Sequence, residues 1–388
     1  MLIILIFTLI RKSNYFPPPV SEKNWRKNTD HKFIKSLGIN PIELEEFGRW
    51  NLENNLDKES LTLNACLVIK NGWIIGEWYS DKDGSHNFNK EYENRQVYLP
   101  SLSKALTIAL FGILLEEKKA VQYNLSLNSN IYDKRWLTDG YPLSDPRKMD
   151  ITIDHIFSHT SGLLPDCIGI ISGTGKSNYD FILGKHPIYT KSAQLYFDPG
   201  KPEQFEMEFS SSDLAFDHML FIIENIANQP AHIYLESALL HRIGIHDIIY
   251  NANCEWSNQG VKWIPSKSIC LNTRDFARFA YFIMKNGIWN NEQLTKKGYL
   301  ENILSNKNYP DLSGDLNSGN KMMKKFATQF LKSPQSFNDL IRVGGALSSW
   351  AYIIPSQEII AIRIGEKNRI NKNILEKIFL EKLFNIIE

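Results

Sequence analysis

Cysteine is scarce in this chain of 388 residues, and its four occurrences have no regular spacing. No two cysteines are separated by two residues, as they are in the C-x-x-C motifs of zinc and redox sites. Cys66 falls inside an apolar pattern typical of a strand, whereas Cys167, Cys254 and Cys270 stand far apart. We therefore expect each cysteine to be a small buried apolar residue, and not part of a disulfide or metal framework.

An excess of either charge is also missing. The chain has 44 Lys and Arg against 43 Asp and Glu, which leaves a net charge of +1, and it contains no basic stripe. Proteins that bind nucleic acids concentrate positive charge on one face. We therefore expect no nucleic-acid partner. The hydrophobic share of 43% is sufficient for the core of one large domain or of two lobes.

Three signatures of other enzyme and metal sites are incomplete. The chain has no G-x-S-x-G sequence, which argues against an α/β-hydrolase. Gly173–Ser177 reads GTGKS, but the first glycine of a phosphate-binding loop would fall on Ile170. His155 and His159 could share one helix face, yet no glutamate follows His155 and no third ligand is evident. We expect neither a nucleotide nor a metal.

The N-terminus begins with ten mostly apolar residues, MLIILIFTLI. As a helix they would span about 15 Å, half of the hydrocarbon core of a membrane. Positive charges precede the apolar stretch of a signal peptide, whereas here Arg11 and Lys12 follow it. Two interpretations stay open: the end of a longer export or anchor segment, or a strand added to the body. The stiff spacer Pro17–Pro19 favours the first.

Export would locate the protein in the periplasm or cell envelope of a bacterium, and would allow membrane association through this segment. A cytoplasmic location is the alternative. We interpret residues 1–35 as the apolar segment and linker, and residues 36–388 as the domain.

Periodicity predicts the framework of that domain. Apolar runs flank Asn71-Gly72, which is typical of a hairpin over 66–79 with a type I′ turn, and 350–364 reads as a second hairpin. Residues 373–387 have the apolar spacing of an amphipathic helix. These elements predict an α/β (α+β) fold: an antiparallel β-sheet flanked by helices, with a helix-rich lobe. The sheet lobe would comprise about 60–100 and 340–388, and the helical lobe about 105–335.

The most informative feature is the tetrad SLSK at 101–104, which opens a long apolar helical pattern. Positions three apart share a helix face, so the Lys104 amine can reach the Ser101 hydroxyl. Serine is a poor nucleophile at neutral pH, and an amine in a partly desolvated cleft can take its proton. Backbone N–H groups at a helix start can stabilise an oxyanion. The alternative is a capping serine followed by a solvated lysine.

Four blocks follow the tetrad in order: DITIDHIFSHTSGL (150–163), FDPG with EFSSSD (197–200 and 208–213), LNTRDFARFAYFIMKNGIWN (271–290) and RVGGALSSWAYIIPSQEIIAIRIG (342–365). In this order and at these separations they resemble the penicillin-recognising serine hydrolases. That family contains class C β-lactamases, DD-peptidases, family VIII esterases and 6-aminohexanoate-dimer hydrolases. The resemblance covers roughly residues 40–388 and implies a β-lactamase/transpeptidase-like fold, with no metal or organic cofactor.

The resemblance implies that Ser101 is the acyl-accepting nucleophile and Lys104 its proton partner. The second motif of the family is Tyr-x-Asn or Tyr-x-Ser, whose phenol is a general base. Here EFSSSD places Phe209 at the tyrosine and Ser211 at the third position, where they would contact substrate. Phenylalanine cannot move a proton, and this departure puts turnover in doubt.

The third motif, Lys-Thr-Gly in the β-lactamases, corresponds here to Val343, Gly344 and Gly345, and Ala346 would supply the second oxyanion N–H. Side chains on the two glycines would crowd a substrate lying along this strand. Val343 lacks the cation that suits a substrate carboxylate, and Arg342 would point to the opposite face of the strand.

We therefore predict a serine hydrolase that acts on a small ester or amide through an acyl-enzyme. The alternatives are a binding or regulatory protein that has lost turnover, and a true β-lactamase or DD-peptidase, which Val343 disfavours.

Overall fold

The structure is a computed structural model that describes residues 14–53, 64–80, 90–99, 101–137, 141–143, 145–158, 160–163, 195, 198–200, 213–250, 254, 263, 265–266, 269–305, 337, 339–345, 348–365 and 372–388. Several sequence predictions concern residues outside these ranges: the apolar segment 1–13, His159, Cys167, Gly173–Ser177, Phe209, Ser211 and Ala346.

A five-stranded antiparallel sheet forms the centre of the described part of the chain. Its order is β2-β1-β9-β8-β7, so the first hairpin and the C-terminal strands pair side by side. Two short ribbons, β3-β4 and β5-β6, lie apart from it. The strands are β1 Asn64–Lys70, β2 Trp73–Ser80, β3 Val97–Tyr98, β4 Cys270–Leu271, β5 Ile288–Trp289, β6 Glu292–Gln293, β7 Ile341–Gly344, β8 Trp350–Ile354 and β9 Ile359–Ile364.

Both predicted hairpins are confirmed. Asn71 and Gly72 connect β1 to β2 with φ angles of 50° and 75°, the left-handed values that a type I′ turn requires. A single 3₁₀ turn, Pro355–Gln357, and Glu358 with φ 47° connect β8 to β9. The sequence order Asn-Gly between two apolar runs was therefore sufficient to predict the first turn.

Helices surround the sheet and fill the middle of the chain. They are α1 His31–Ser36, α2 Pro41–Glu53, α3 Lys90–Glu93, α4 Leu102–Leu114, α5 Lys118–Gln122, α6 Ile153–Phe157, α7 Asp213–Asp217, α8 Met219–Ala227, α9 Ala231–Leu235, α10 Thr273–Met284, α11 Tyr299–Ser305 and α12 Lys372–Asn385. Among these described helices, none combines the length and the apolar character needed to cross a membrane.

The two faces of the sheet bury different helices, because successive side chains of each strand alternate between them. On one face Cys66, Val68 and Tyr352 pack against α2 and α12. On the other, Leu67 and Ile362 belong to the larger core, which includes α4, α8 and α10. The predicted fold, an antiparallel sheet flanked by helices, is confirmed.

One cysteine expectation is wrong. Cys254 and Cys270, which are 16 positions apart in the sequence, form a disulfide with their Cα atoms 5.6 Å apart. Spacing gave no sign of this bond, since only the folded path of the chain brings Cys254 beside β4. Cys66 is a buried thiol, as expected.

The residues before α1 pack on the domain. Arg278 of α10 donates hydrogen bonds to the carbonyls of Pro17, at 2.9 Å, and Pro18, at 2.5 Å. Trp25 belongs to the main core and is only 6% exposed. The proline stretch, expected to be an extended spacer, therefore lies against α10.

Candidate active site

Ser101 lies between strand β3 of the short β3-β4 ribbon and the long buried helix α4. The N–H of Leu99, just after β3, donates to the carbonyl of Ile269, at 2.9 Å, and α4 begins at Leu102. Ser101 occupies the N-cap position, but its side chain makes no capping hydrogen bond. Every residue of α4 is buried. The hydroxyl is therefore left for a role other than capping.

Lys104 stands one helical turn from Ser101, on the same face of α4. Its Nζ is 3.5 Å from the Ser101 Oγ, and its side chain is buried, with 2% exposure. The ring of Phe216 in α7 lies beside the amine, with its centroid 5.9 Å from Nζ. The interpretation of a capping serine and a solvated lysine is therefore wrong for both residues, since Ser101 makes no capping hydrogen bond and Lys104 is buried.

Gly345, just after β7, lies directly against Ser101. A Cβ built on Gly345 would sit 2.5 Å from the Ser101 Cβ and 3.0 Å from its backbone nitrogen. The N–H of Gly345 donates to the carbonyl of Ser349 at 3.1 Å, continuing the β7-β8 ladder. This N–H is therefore engaged within the sheet, and only the absence of a side chain allows the strand to approach the serine.

Gly344 faces the other side of the sheet. Its Cβ would lie 2.6 Å from the Ser349 carbonyl oxygen and 2.7 Å from the Trp350 Cα. Contacts within the protein thus require glycine at both positions, whether or not a substrate lies along the strand. The substrate-binding role expected for the two glycines stays a prediction.

Arg342 points away from Ser101, as the alternation along β7 predicted. Its guanidinium is buried on the α12 side, where it pairs with the Glu376 carboxylate, and Tyr352 donates to the same carboxylate. Val343 is fully buried opposite Ala351 of β8. Neither residue brings a positive charge to the Ser101 side of the sheet.

Sequence reasoning missed the contacts that fix α7 beside α4. The Thr107 hydroxyl of α4 lies 2.8 Å from the carbonyl of Pro265, and the N–H of Ser266 donates to Asp217 at 3.2 Å. Asp217 ends α7, one residue after Phe216. No motif marks these residues, and only their apolar neighbourhood indicates that they are buried.

His155 has a structural role in its own helix. Its Nδ1 accepts from the N–H of Thr152 at 3.3 Å, and the Thr152 hydroxyl accepts from the N–H of His155, which completes a capping box. In the part of the chain that the structure describes, no group of three His, Cys, Asp or Glu residues could hold a metal ion.

We expect Gly345→Ala to lower the rate of any reaction at Ser101 by about a hundredfold, because the new Cβ must displace the serine or the strand end. Overpacking of this kind also destabilises a fold by about 1–3 kcal/mol. Gly48→Ala is the matched control, since its Cβ would lie 2.2 Å from the ring of Trp78, on the other side of the sheet from Ser101. Thermal unfolding and ester hydrolysis of both variants separate the two effects. Full activity in Gly345→Ala would contradict this geometry.

Comparison with known proteins gives one matching family and many solved structures of similar fold. The family model described as Beta-lactamase matches residues 62–372. Among curated proteins, none matches the sequence. A protein from Bacillus anthracis with a provisional assignment as a 6-aminohexanoate-dimer hydrolase superposes with a TM-score of 0.60 at 17% identity, covering 97% of this chain and 88% of its own.

Two further solved structures are similar. EstCE1, a hydrolase with promiscuous acyltransferase activity, superposes with a TM-score of 0.61 at 14% identity, over 92% of this chain and 99% of its own. An octameric penicillin-binding protein homologue from Pyrococcus abyssi gives a TM-score of 0.56 at 13% identity, over 88% of this chain and 77% of its own. At such low identities these likenesses concern the fold.

Proposed function

The chain belongs to the beta-lactamase family, as the order of its sequence blocks predicted, and from this we propose that it is a serine hydrolase that cleaves a small ester or amide through an acyl-enzyme on Ser101. The observation that carries the proposal is the buried Lys104 amine, 3.5 Å from the Ser101 hydroxyl at the start of α4. No metal or organic cofactor enters the reaction.

The proposed reaction has two halves. In the first, Lys104 as a neutral amine takes the proton of Ser101 while the serine oxygen bonds to the substrate carbonyl carbon. The carbonyl oxygen becomes an oxyanion, which N–H groups at the start of α4 stabilise. The intermediate collapses to an acyl-serine, and the proton held by Lys104 passes to the departing alcohol or amine. In the second half, water adds to the acyl carbon and gives a proton to Lys104. The bond between that carbon and the Ser101 oxygen then breaks, the proton passes from Lys104 to the serine oxygen, and the acid is released.

A hydrogen bond of 3.5 Å is long for proton transfer, but catalytic contacts often tighten only when substrate binds.

A second candidate function is a binding protein of the same fold without turnover. The observation that favours it is Phe209 at the position of the family tyrosine. Such a protein would bind esters beside Ser101 without cleaving them.

Labelling distinguishes the two functions. The protein is incubated with a fluorophosphonate or a 4-nitrophenyl ester, and the intact chain is weighed by mass spectrometry. We expect one covalent adduct, located on Ser101 by peptide mapping. A chain that gains no adduct from either reagent, and releases no nitrophenol, would exclude the hydrolase and leave the binding protein.

We propose that the preferred substrates carry no carboxylate. Val343 is buried and Arg342 faces α12, so neither provides the cation that a carboxylate needs. A lost ionic hydrogen bond weakens transition-state binding by about 1.5–3 kcal/mol, or roughly ten- to a hundredfold. We expect 4-nitrophenyl butyrate to be cleaved with higher kcat/KM than the similarly sized 4-nitrophenyl succinate, whose free end is charged, and than cephalosporins. The reverse order would restore the β-lactamase interpretation.

We also propose that the protein works in an oxidising compartment such as the periplasm. What supports this location is the bond between Cys254 and Cys270, because disulfides persist mainly outside the cytosol. We expect iodoacetamide, added under denaturing and non-reducing conditions to protein quenched directly from its native cells, to modify two of the four cysteines. Modification of all four would contradict the proposed location.

A further inference from the structure

The turn between β7 and β8 accepts a hydrogen bond from an arginine of β9. Arg363 is fully buried, and its Nη1 donates to the carbonyl of Ser348 at 2.6 Å. Ser348 has a φ of 51°, which lies in the left-handed region that residues other than glycine rarely adopt. The hydrogen bond therefore anchors the turn at its most strained described residue.

The anchored turn is connected to Ser101 by a short series of contacts. Ser349 follows Ser348, and its carbonyl accepts the N–H of Gly345 at 3.1 Å. The Ser349 hydroxyl lies 3.4 Å from the carbonyl oxygen of Gly365, the residue after β9. Gly345 in turn packs against the backbone and Cβ of Ser101. A shift of the turn would therefore move the strand end that touches the serine.

Contacts with Trp350 of β8 also restrict the position of Arg363. It is the register partner of Trp350 in β8, and its guanidinium carbon lies 5.3 Å from the centre of the Trp350 ring. Burial lowers the pKa of Arg363 to about 10, so the group still carries its charge at neutral pH. A charged group over an aromatic face and against a carbonyl has little freedom to move.

We propose that Arg363 is a positioning residue for acylation: it holds the β7-β8 turn so that the strand end lies at the distance from Ser101 that the reaction requires. The proposal rests on the proposed hydrolase function. Arg363 lies on the α12 side of the sheet, opposite Ser101, and acts through Ser348.

Arg342 also lies over the Trp350 ring, and it provides a matched control. Its guanidinium carbon lies 5.7 Å from the centre of the Trp350 ring, and it is buried to a similar degree. Its carboxylate partner is Glu376 of α12, whereas Arg363 contacts the turn. Loss of either arginine weakens the fold, but only loss of Arg363 removes the anchor of Ser348.

The test compares Arg363→Met, Arg363→Lys and Arg342→Met, all in the full chain. For Arg363→Met we expect kcat for 4-nitrophenyl butyrate to fall about ten- to a hundredfold while KM changes less than about threefold, because misplacement affects the reaction more than binding. Arg363→Lys keeps a charged donor and should recover part of this loss. Arg342→Met should lower Tm at least as much, since it leaves Glu376 buried without its cation, yet keep kcat within about threefold.

Amide hydrogen exchange gives a measurement that does not depend on turnover. Peptides covering 345–350 should exchange faster in Arg363→Met than in the native chain or in Arg342→Met, while peptides of the β1-β2 hairpin should not differ. Equal loss of kcat in Arg363→Met and Arg342→Met, or unchanged exchange at 345–350, would overturn the proposal. If the native chain is neither labelled nor active, the hydrolase function fails and acylation positioning fails with it, while the exchange result still decides whether Arg363 anchors the turn.

Discussion

Replacement of Ser101 by alanine is expected to abolish the covalent adduct and to lower ester hydrolysis by roughly 10³- to 10⁶-fold, the usual effect of removing a nucleophile. The hydroxyl is not needed as a helix cap, because it makes no capping hydrogen bond in the structure. We therefore expect the variant to fold normally. Intact mass spectrometry after exposure to a fluorophosphonate, together with thermal unfolding, measures both expectations.

Ser103 is the matched control for this substitution. It lies two residues later in α4, is fully buried, and its hydroxyl has no hydrogen-bond partner among the described residues. Ser103→Ala removes the same atom from the same helix and should leave labelling intact. An adduct that persisted in Ser101→Ala, or disappeared in Ser103→Ala, would assign the nucleophile elsewhere.

Loss of the Lys104 amine should be nearly as damaging as loss of Ser101. With Phe209 at the family's tyrosine, the sequence offers no other candidate base nearby, so Lys104→Met should reduce acylation by about 10²-fold or more. Lys104→Arg separates two possible roles, because arginine keeps the positive charge but does not give up its proton. We expect both variants to be equally slow in stopped-flow acylation by 4-nitrophenyl butyrate.

An Arg variant that stayed fast would show that Lys104 acts by its charge and not as a base. A Met variant with most of its activity would show that another base operates. Thermal unfolding accompanies both measurements, since a change at a buried site can destabilise the helix.

Local sequence patterns were sufficient to predict those features that depend on residues close together in the sequence. The hairpin at Asn71-Gly72 follows from the φ angles of two residues, and the approach of Lys104 to Ser101 follows from the period of one helix. The orientation of Arg342 likewise followed from the alternation of side chains along one strand. In each case the geometry is set within a few residues.

Contacts between distant parts of the chain could not be predicted in this way. Gly345 touches Ser101 because β7 ends beside the start of α4. The family resemblance implied that this strand lies near the serine, but no local pattern predicted the contact between the two residues. The bond between Cys254 and Cys270 depends on the path of the chain between them. The anchor from Arg363 to Ser348 requires β9 to lie beside β8 in one particular register. Such features come from packing, which a single sequence does not display.

The packing of the first described residues on the domain has a practical consequence for protein production. A chain trimmed to begin at residue 36 would lack Trp25, which fills part of the main core, and Lys27, whose amine lies 3.0 Å from the fully buried carboxylate of Glu77. It would also uncover Arg278, whose charge now faces the carbonyls of Pro17 and Pro18. Removing the apolar start of the chain to improve yield should therefore stop before Tyr15, whose hydroxyl accepts the N–H of Arg26. A shorter version would have a cavity the size of a tryptophan side chain in its core. Poor solubility of that version would therefore say nothing about the native protein.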